Sequence, residues 1–326
     1  MTKPFHFQKI SSSLFKYALG AALAVSALAS HAAAVQNGNL LVSDLSNGKL
    51  REMGQDGRTV QVFDTPDFAD GFHSLRGVAM GEKGVVHMFN GTFTPRMTSL
   101  DSNNGSIKSN LGMNGWSTVN NISYGGIGVY GNSVFVSDMF TYSGGEASGI
   151  VMFNLKNGES SRFATNRSYT DLTVGRNGLL YALNGNVDVY DPNSLRLLKT
   201  INLSGNYDAR GVAVDRSGNL FAVDMYGGLA QYDAQGALKK QINFGGFMTD
   251  IDVNDQGMLA IADRSSNISL LNSNLELVQR HSLSYRDSPY HLAFVQTPVP
   301  EAETWAMLGA GLSGLIALAR RRRQQA

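Results

Sequence analysis

The sequence contains no cysteine and carries few charges. Its 326 residues include 16% charged residues and have a formal net charge of +1. The absence of cysteine excludes disulfides, thiolate metal sites and cysteine nucleophiles. The near-zero net charge argues against the basic surface that general nucleic-acid binding needs, so no nucleic-acid partner is predicted. With 43% hydrophobic residues, the chain can still bury a large core.

The N-terminus has the pattern of a secretory signal peptide. A lysine-containing start precedes an apolar run over residues 17–29, and the small-residue stretch after it includes Ala32 and Ala34. This order predicts export across the inner membrane, with cleavage after Ala32 or Ala34, and we assign residues 1–34 to the signal. An uncleaved anchor is the alternative, although the apolar run is short for a membrane span.

At the C-terminus, a short Pro-Glu motif, an uncharged apolar segment and an arginine cluster follow one another. The apolar segment, residues 304–319, would be about 24 Å long as a helix, slightly less than the hydrocarbon core. We predict a transmembrane helix there, with the arginines on the cytoplasmic side. The motif and the cluster comprise Pro300, Glu301, Ala302, Arg320, Arg321, Arg322 and Arg323.

This tail resembles the PEP-CTERM sorting signal of Gram-negative bacteria, although Ala302 stands where that signal has its second proline. The resemblance implies processing by an exosortase after transient anchoring in the inner membrane. It also implies delivery to the cell surface or the extracellular space, often alongside exopolysaccharide production and biofilm. We therefore assign residues 299–326 to a sorting signal and residues 35–298 to the folded body. An ordinary single-span C-terminal anchor is the alternative.

Between these two segments, the body is an internal repeat. Each copy has a short apolar strand, a turn containing glycine, and a second apolar strand that ends in Asp or Asn. The clearest copy covers residues 210–224, and another covers residues 250–263. The second-strand ends recur every 39 to 48 residues, a spacing that fits four-stranded propeller blades. These ends are Asp44, Asn90, Asp138, Asn184, Asp224 and Asp263.

The first and last copies are each incomplete. Residues 38–44 form a second strand with no first strand before it, and residues 290–295 form a first strand with no second strand after it. A closed ring would explain both, because the C-terminal strand would complete the blade begun by the N-terminus. We therefore predict an all-β fold, a six-bladed β-propeller closed by pairing of its N- and C-terminal strands. A seven-bladed ring would need a copy that we do not find.

The repeat pattern resembles NHL-repeat propellers and the related regucalcin and gluconolactonase group. Because the first two strands of a blade form a hairpin, the start of the first and the end of the second lie on one face of the ring. The residues at the starts of the first strands are Arg76, Gly126, Asp171, Arg210, Asp250 and His291. We predict that Arg76, Asp171, Arg210, Asp250 and His291 form a ligand-binding site at the channel mouth, where mixed charge suits a sugar or a peptide end. A ring of salt bridges between blades is the alternative.

The polar residues at the second-strand ends have a structural interpretation. Asp and Asn side chains there can accept hydrogen bonds from the N–H groups of the following turn. The Asp101–Gly105 segment resembles a calcium loop, but similar segments at the same place in other repeats favour a hairpin turn.

The resemblance to metal-dependent lactonases implies a second possibility for the axis. Those enzymes carry Glu, Asn and Asp ligands there, and this chain offers Asp171, Asn184 and Asp250 for a divalent cation such as Ca²⁺. The residues at the starts of the first strands include no Glu. The sequence of residues 177–184 matches the lactonase pattern only weakly. No other cofactor and no catalytic residue is predicted.

Our leading hypothesis is therefore non-enzymatic. It describes an exported propeller, associated with the cell surface or the extracellular matrix, that binds polysaccharide or a surface protein. A lactonase-type hydrolase and a structural surface component without a defined ligand are the alternatives. Of the 27 basic residues, three lie in the signal and four in the tail, while two of the 26 acidic residues lie in the tail. The body thus has four more acidic than basic residues.

Overall fold

A computed structural model describes residues 34–45, 48–65, 75–81, 84–91, 95–112, 126–138, 148–203, 208–284 and 289–296. These residues form 24 β-strands and contain no α-helix. Within this described part, no helix is long and apolar enough to cross a membrane. The predicted sorting signal and all but the last residue of the predicted signal peptide lie outside the described residues.

The strands make six sheets of four antiparallel strands each, which we number as blades 1 to 6. Blade 1 consists of β24 (Pro289–Phe294), β1 (Leu40–Asp44), β2 (Lys49–Met53) and β3 (Thr59–Asp64). Blade 2 consists of β4 (Leu75–Met80), β5 (Val85–Asn90), β6 (Arg96–Asp101) and β7 (Ile107–Gly112). Blade 3 consists of β8 (Ile127–Tyr130), β9 (Ser133–Asp138), β10 (Gly149–Asn154) and β11 (Ser160–Phe163).

The other three blades follow the same order along the chain. Blade 4 consists of β12 (Asp171–Val174), β13 (Leu180–Leu183), β14 (Val187–Tyr190) and β15 (Leu197–Ile201). Blade 5 consists of β16 (Ala209–Val214), β17 (Leu220–Asp224), β18 (Gly228–Tyr232) and β19 (Leu238–Asn243). Blade 6 consists of β20 (Met248–Val253), β21 (Leu259–Asp263), β22 (Asn267–Leu271) and β23 (Leu277–Ser282).

The ring closes as the two incomplete copies predict. Strand β24 pairs antiparallel with β1, with Leu40 opposite Phe294, so the C-terminal strand is the innermost strand of blade 1. The inner strands of successive blades contact one another all the way round, from β4 through β20 to β24. The prediction of a six-bladed propeller closed by its terminal strands is therefore confirmed. Closure completes the four strands of blade 1 and so leaves no gap in the ring.

The core lies between the blades. The second and third strands are buried on both faces, as the continuous run Leu180–Leu183 shows, whereas most residues of the outer strands are exposed. Hydrophobic clusters join adjacent sheets; one of them packs Val189 of blade 4 with Val212 and Leu220 of blade 5. Removing these apolar side chains from water on both sheet faces stabilises the ring without disulfides.

Acidic and amide side chains at strand ends hold the turns. Asp224 Oδ1 accepts hydrogen bonds from the N–H groups of Tyr226 (2.8 Å) and Gly228 (2.7 Å). Asp263 Oδ1 accepts from Ser265 and Asn267 in the same way. The turn-holding interpretation of these strand ends is confirmed at both positions. Asp101 Oδ1 likewise accepts the N–H of Asn103 at 2.9 Å, in a hairpin turn between β6 and β7.

Candidate functional site

The six inner strands begin at one face of the ring, which we call the upper face, and end at the lower face. Strand pairing shows which residues are equivalent near the upper face. Asp171 lies opposite Leu183, Gly211 opposite Val223, and Asp250 opposite Ala262. The equivalent residue of blade 2 is Gly77, opposite Phe89, and in blades 3 and 1 the position falls at Gly126 and His291. One level of the axis therefore carries three glycines, two aspartates and one histidine.

This register divides the predicted site residues between two levels of the axis. Arg76 and Arg210 stand one residue before this level, at β-bulges between Leu75 and Gly77 and between Ala209 and Gly211. A bulge inserts one residue into a strand and redirects its side chain. The two arginines therefore occupy a different level from Asp171, Asp250 and His291.

The three side chains that do come together are Asp171, Asp250 and His291, which we call the buried trio. Each offers a ligand atom, and these atoms all lie within 4.8 Å of one another. His291 Nδ1 is 3.2 Å from a carboxylate oxygen of Asp250. The three residues are only 3%, 4% and 3% exposed.

The lack of a side chain at Gly211 lets the innermost strands of blades 5 and 6 approach closely. Blade 5 lies between blades 4 and 6, and Gly211 is its residue at this level. A Cβ at Gly211 would lie 3.0 Å from the Cα of Asp250, which shows how closely β16 approaches β20. Gly126 plays the same part between blades 3 and 4, where a Cβ would lie 2.4 Å from Asp171 Oδ1. Glycine is therefore required for close approach at both positions.

The two aspartates of the trio also tie neighbouring blades together. Asp171 Oδ2 accepts the N–H of Val212 in blade 5, and Asp250 Oδ2 accepts the N–H of Leu292 in blade 1, both at 2.7 Å. The threonine before each aspartate donates its hydroxyl to a carbonyl of the same neighbouring strand: Thr170 to Ala209 at 3.1 Å, and Thr249 to Pro289 at 3.4 Å. The Thr-Asp pair is thus a repeated link between inner strands.

Burial changes the acidity of the carboxyl groups along the axis. Desolvation, reinforced by the neighbouring charge of Asp250, raises the pKa of Asp171 well above its usual range. Two residues further along β20, burial raises the pKa of Asp252 to about 7, although its carboxylate accepts the N–H groups of Phe294 (2.7 Å) and Val253 (2.8 Å). The axis is therefore a region where negative charge is costly.

A second polar contact spans the axis at the lower face. Arg176, after β12 in blade 4, donates to Asp255 of blade 6 at 3.0 Å and to Gln296, which follows the innermost strand of blade 1. Gln296 in turn donates to the carbonyl of Val253 at 3.1 Å. These bonds connect blades 4, 6 and 1 at the opposite end of the inner strands from the trio.

The other predicted site residues lie outside the trio. The Arg76 guanidinium lies over the ring of Tyr290, 5.8 Å from its centroid. Arg210 Nη2 lies 3.7 Å from the sulfur of Met225. Asn184, the third residue of the predicted lactonase-type set, follows β13 and donates its backbone N–H to Asn186. The acidic and histidine side chains that could share a metal ion in the described part of the chain are therefore Asp171, Asp250 and His291.

Comparison with known proteins identifies the fold. In architecture, this chain is similar to propellers of known structure. A chain from the crystal structure of a nidogen/laminin complex superimposes with a TM-score of 0.62 at 13% identity, covering 80% of this chain and 99% of that one. A protein of unknown function from Bacteroides caccae gives 0.54 at 14% identity, covering 79% and 98%. Apo AztD from Citrobacter koseri gives 0.46 at 13% identity, covering 78% and 97%. No protein-family model and no curated protein matches the sequence.

The upper-face turns of blades 5 and 6 also carry aromatic and cationic side chains: Tyr226 follows β17, Phe247 precedes β20 and Arg264 follows β21. Tyr226, after β17, is 65% exposed. The guanidinium of Arg264 stacks over the ring of Phe247, 4.1 Å from its centroid. Within blade 5, the N–H of Phe244 donates to the carbonyl of Gly227, the residue after Tyr226, at 2.8 Å. We call these three side chains the Tyr226 patch.

Sequence reasoning missed both the register at the axis and the Tyr226 patch. The register had a readable signal, because the run Arg-Gly-Val-Ala occurs at residues 76–79 and 210–213, and Thr-Asp precedes an apolar residue at 170–172 and 249–251. Aligning those four segments would have separated Arg76 and Arg210 from Asp171 and Asp250. The patch had no comparable signal, since turn residues carry no periodicity that predicts their exposure.

Proposed function

We propose that this protein is an exported propeller that binds cell-surface polysaccharide through its upper face. The observation that carries the proposal is the contrast on that face between the ionisable side chains and the Tyr226 patch. The trio is buried and holds blades together, whereas Tyr226 and Arg264 are exposed. An exposed tyrosine offers a rigid amphipathic surface at low entropic cost, and an arginine adds directed hydrogen bonds, a combination suited to sugars.

The extent of the ring supports the export part of the proposal. The 24 strands of the described residues lie between Leu40 and Phe294, inside the span of 35–298 assigned to the folded body. Cleavage of the predicted signal and processing of the predicted tail would therefore leave every strand in place. We infer that an exosortase removes the tail and that the mature ring reaches the cell surface or the extracellular matrix.

Two measurements on the protein from its native cells test this proposal. Mass spectrometry should find an N-terminus after Ala32 or Ala34 and a C-terminus near Pro300. A chain that still ends at Ala326 would overturn the sorting mechanism. The native protein should also be retained on immobilised surface polysaccharide from the same cells. If it instead passes through unretarded, the binding proposal fails.

Variants of the full chain locate the binding surface. Tyr226→Ala and Arg264→Ala should each weaken retention at least several-fold, because they remove the exposed members of the patch. Val278→Ala on the outer strand β23 is a matched control, since Val278 is 56% exposed and lies away from the upper-face turns. If all three variants are retained as strongly as the wild type, the Tyr226 patch is not the binding surface.

A lactonase-type hydrolase is the second candidate, favoured by the proximity of Asp171 and Asp250. Their burial argues against it, because a catalytic metal needs an open coordination position that a substrate can reach. Turnover of simple lactones by the native protein, lost in Asp250→Asn, would establish the hydrolase.

A further inference from the structure

The buried trio has no role in the proposed binding function. It consists of two carboxylates and one imidazole, each at least 96% buried, with ligand atoms within 4.8 Å of one another. Carboxylate and imidazole groups are ligands for divalent metals, and such groups are rarely buried together without compensation.

The trio brings two carboxyl groups and one imidazole together in a buried site. Asp250 has His291 as an ion-pair partner at 3.2 Å, and backbone N–H groups of Val212 and Leu292 stabilise the two carboxylates. A divalent cation among the three ligands would balance both carboxylates at once.

We propose that Asp171, Asp250 and His291 bind a structural divalent cation on the propeller axis. The imidazole indicates a borderline ion such as Zn²⁺ rather than Ca²⁺, which takes six to eight oxygen ligands. Bonds of roughly 2.0 to 2.2 Å place two ligands of a tetrahedral Zn²⁺ about 3.4 Å apart. The ligand atoms of the trio lie within 4.8 Å of one another, so binding would draw them together by at most about 1.4 Å.

The cation would stabilise the fold rather than take part in catalysis. Its ligands come from the innermost strands of blades 4, 6 and 1, so it joins blades 4 and 6 across the glycine of blade 5. The chain contains no cysteine, so no disulfide can strengthen the ring. A buried ion that binds only the closed ring would stabilise it by mass action.

Metal titration of the full-length chain tests the proposal. After dialysis against a chelator, the wild type should bind one equivalent of Zn²⁺ by elemental analysis. Its Tm should rise by about 5 °C at a free Zn²⁺ concentration one hundred times the Kd. Ca²⁺ at the same concentration should give a much smaller rise. Co²⁺ should give a visible absorption band typical of mixed nitrogen and oxygen ligands, a readout that needs no variant.

Matched histidine variants assign the ligands. His291→Gln should lose the bound metal and the Tm increase, whereas His281→Gln on β23 should retain both. Asp171→Asn keeps the size of the side chain and should also lose the metal. A folded wild type that binds no stoichiometric Zn²⁺ and shows no Co²⁺ band would overturn the proposal, as would binding that survives in His291→Gln. Loss of the metal in His281→Gln alone would place the ion elsewhere and also overturn it.

Discussion

A buried histidine in blade 2 gives the sharpest prediction about stability. His87 on β5 is 4% exposed, and its Nδ1 lies 2.9 Å from the hydroxyl oxygen of Ser99 on β6. Burial lowers the pKa of His87 from its ordinary value of 6.5 to about 4. The folded protein therefore keeps this imidazole neutral at pH values where the unfolded chain is already protonated.

The sign and size of the effect follow from proton linkage. The contribution of His87 to stability is fully present above pH 6.5, because both states are then neutral. It is lost as the pH falls from 6.5 to about 4, because the unfolded chain binds a proton that the folded chain does not. At about 1.4 kcal/mol for each pKa unit, the loss amounts to roughly 3 kcal/mol.

Substitution of His87 by phenylalanine isolates this contribution. His87, Phe135 and Phe221 each lie three residues before the end of the second strand of a blade, so the ring accepts phenylalanine at this position. Urea unfolding of the wild type and His87→Phe, measured from pH 7.5 to pH 4, should give curves that diverge by roughly 3 kcal/mol in relative stability. Taking the difference between the two unfolding free energies at each pH cancels the effect of the other titrating groups, which both proteins share.

Ser99→Ala is the matched control for this experiment. It removes the hydroxyl that contacts His87 but retains the buried imidazole, so its pH dependence should follow the wild type. Curves for the wild type and His87→Phe that stay parallel, within about 0.5 kcal/mol, would refute the argument from burial.

Three further variants test how the ring is held together. Gly126→Ala would place a Cβ 2.3 Å from the backbone nitrogen of Leu172, so thermal unfolding should show a loss of about 3 kcal/mol in the free energy of unfolding. As a control, the Cβ of Gly112→Ala would meet nothing within 4 Å, and this variant should change the free energy of unfolding by less than about 0.5 kcal/mol. A chain that stops before β24 should show no cooperative unfolding by circular dichroism, because blade 1 loses its innermost strand. Asp188→Ala removes the partner of Arg167 and a buried acceptor for Tyr169, and chemical denaturation should show a loss of about 3 to 5 kcal/mol. If any of these destabilised variants unfolds at the wild-type midpoint, the contact that it removes or disturbs does not stabilise the ring as we infer.

Much of the architecture could be predicted from the sequence because it rests on local patterns. The apolar runs, such as Leu180–Leu183, are long enough to be strands buried on both faces. The incomplete copies at the two ends predict the pairing of β24 with β1, because an unpaired inner strand would leave its backbone groups unsatisfied. The Asp and Asn residues at the strand ends predict their turns, because the donors lie only two to four residues away.

The arrangement at the axis depended on the tertiary structure. The sequence places Arg210 and Asp250 at the same point of the repeat, but a bulge in each strand decides which residue faces the neighbouring blade. A shift of one residue moves a side chain to the other face of a strand, so a pattern of residue types cannot fix it. The close approach of β16 to β20 also requires a residue without a side chain at Gly211, where a Cβ would lie 3.0 Å from the Cα of Asp250.

The sequence by itself therefore determined the number of blades, the closure of the ring and the turn chemistry. The first two follow from the repeat and its two incomplete copies, and the third depends on neighbours along the chain. Only the tertiary structure decided that Asp171, Asp250 and His291 meet on the axis and that Tyr226 stays exposed on the upper face. The three residues of the trio lie 41 to 120 positions apart in the sequence. Their distances are set by how closely whole blades pack, which no local sequence pattern specifies.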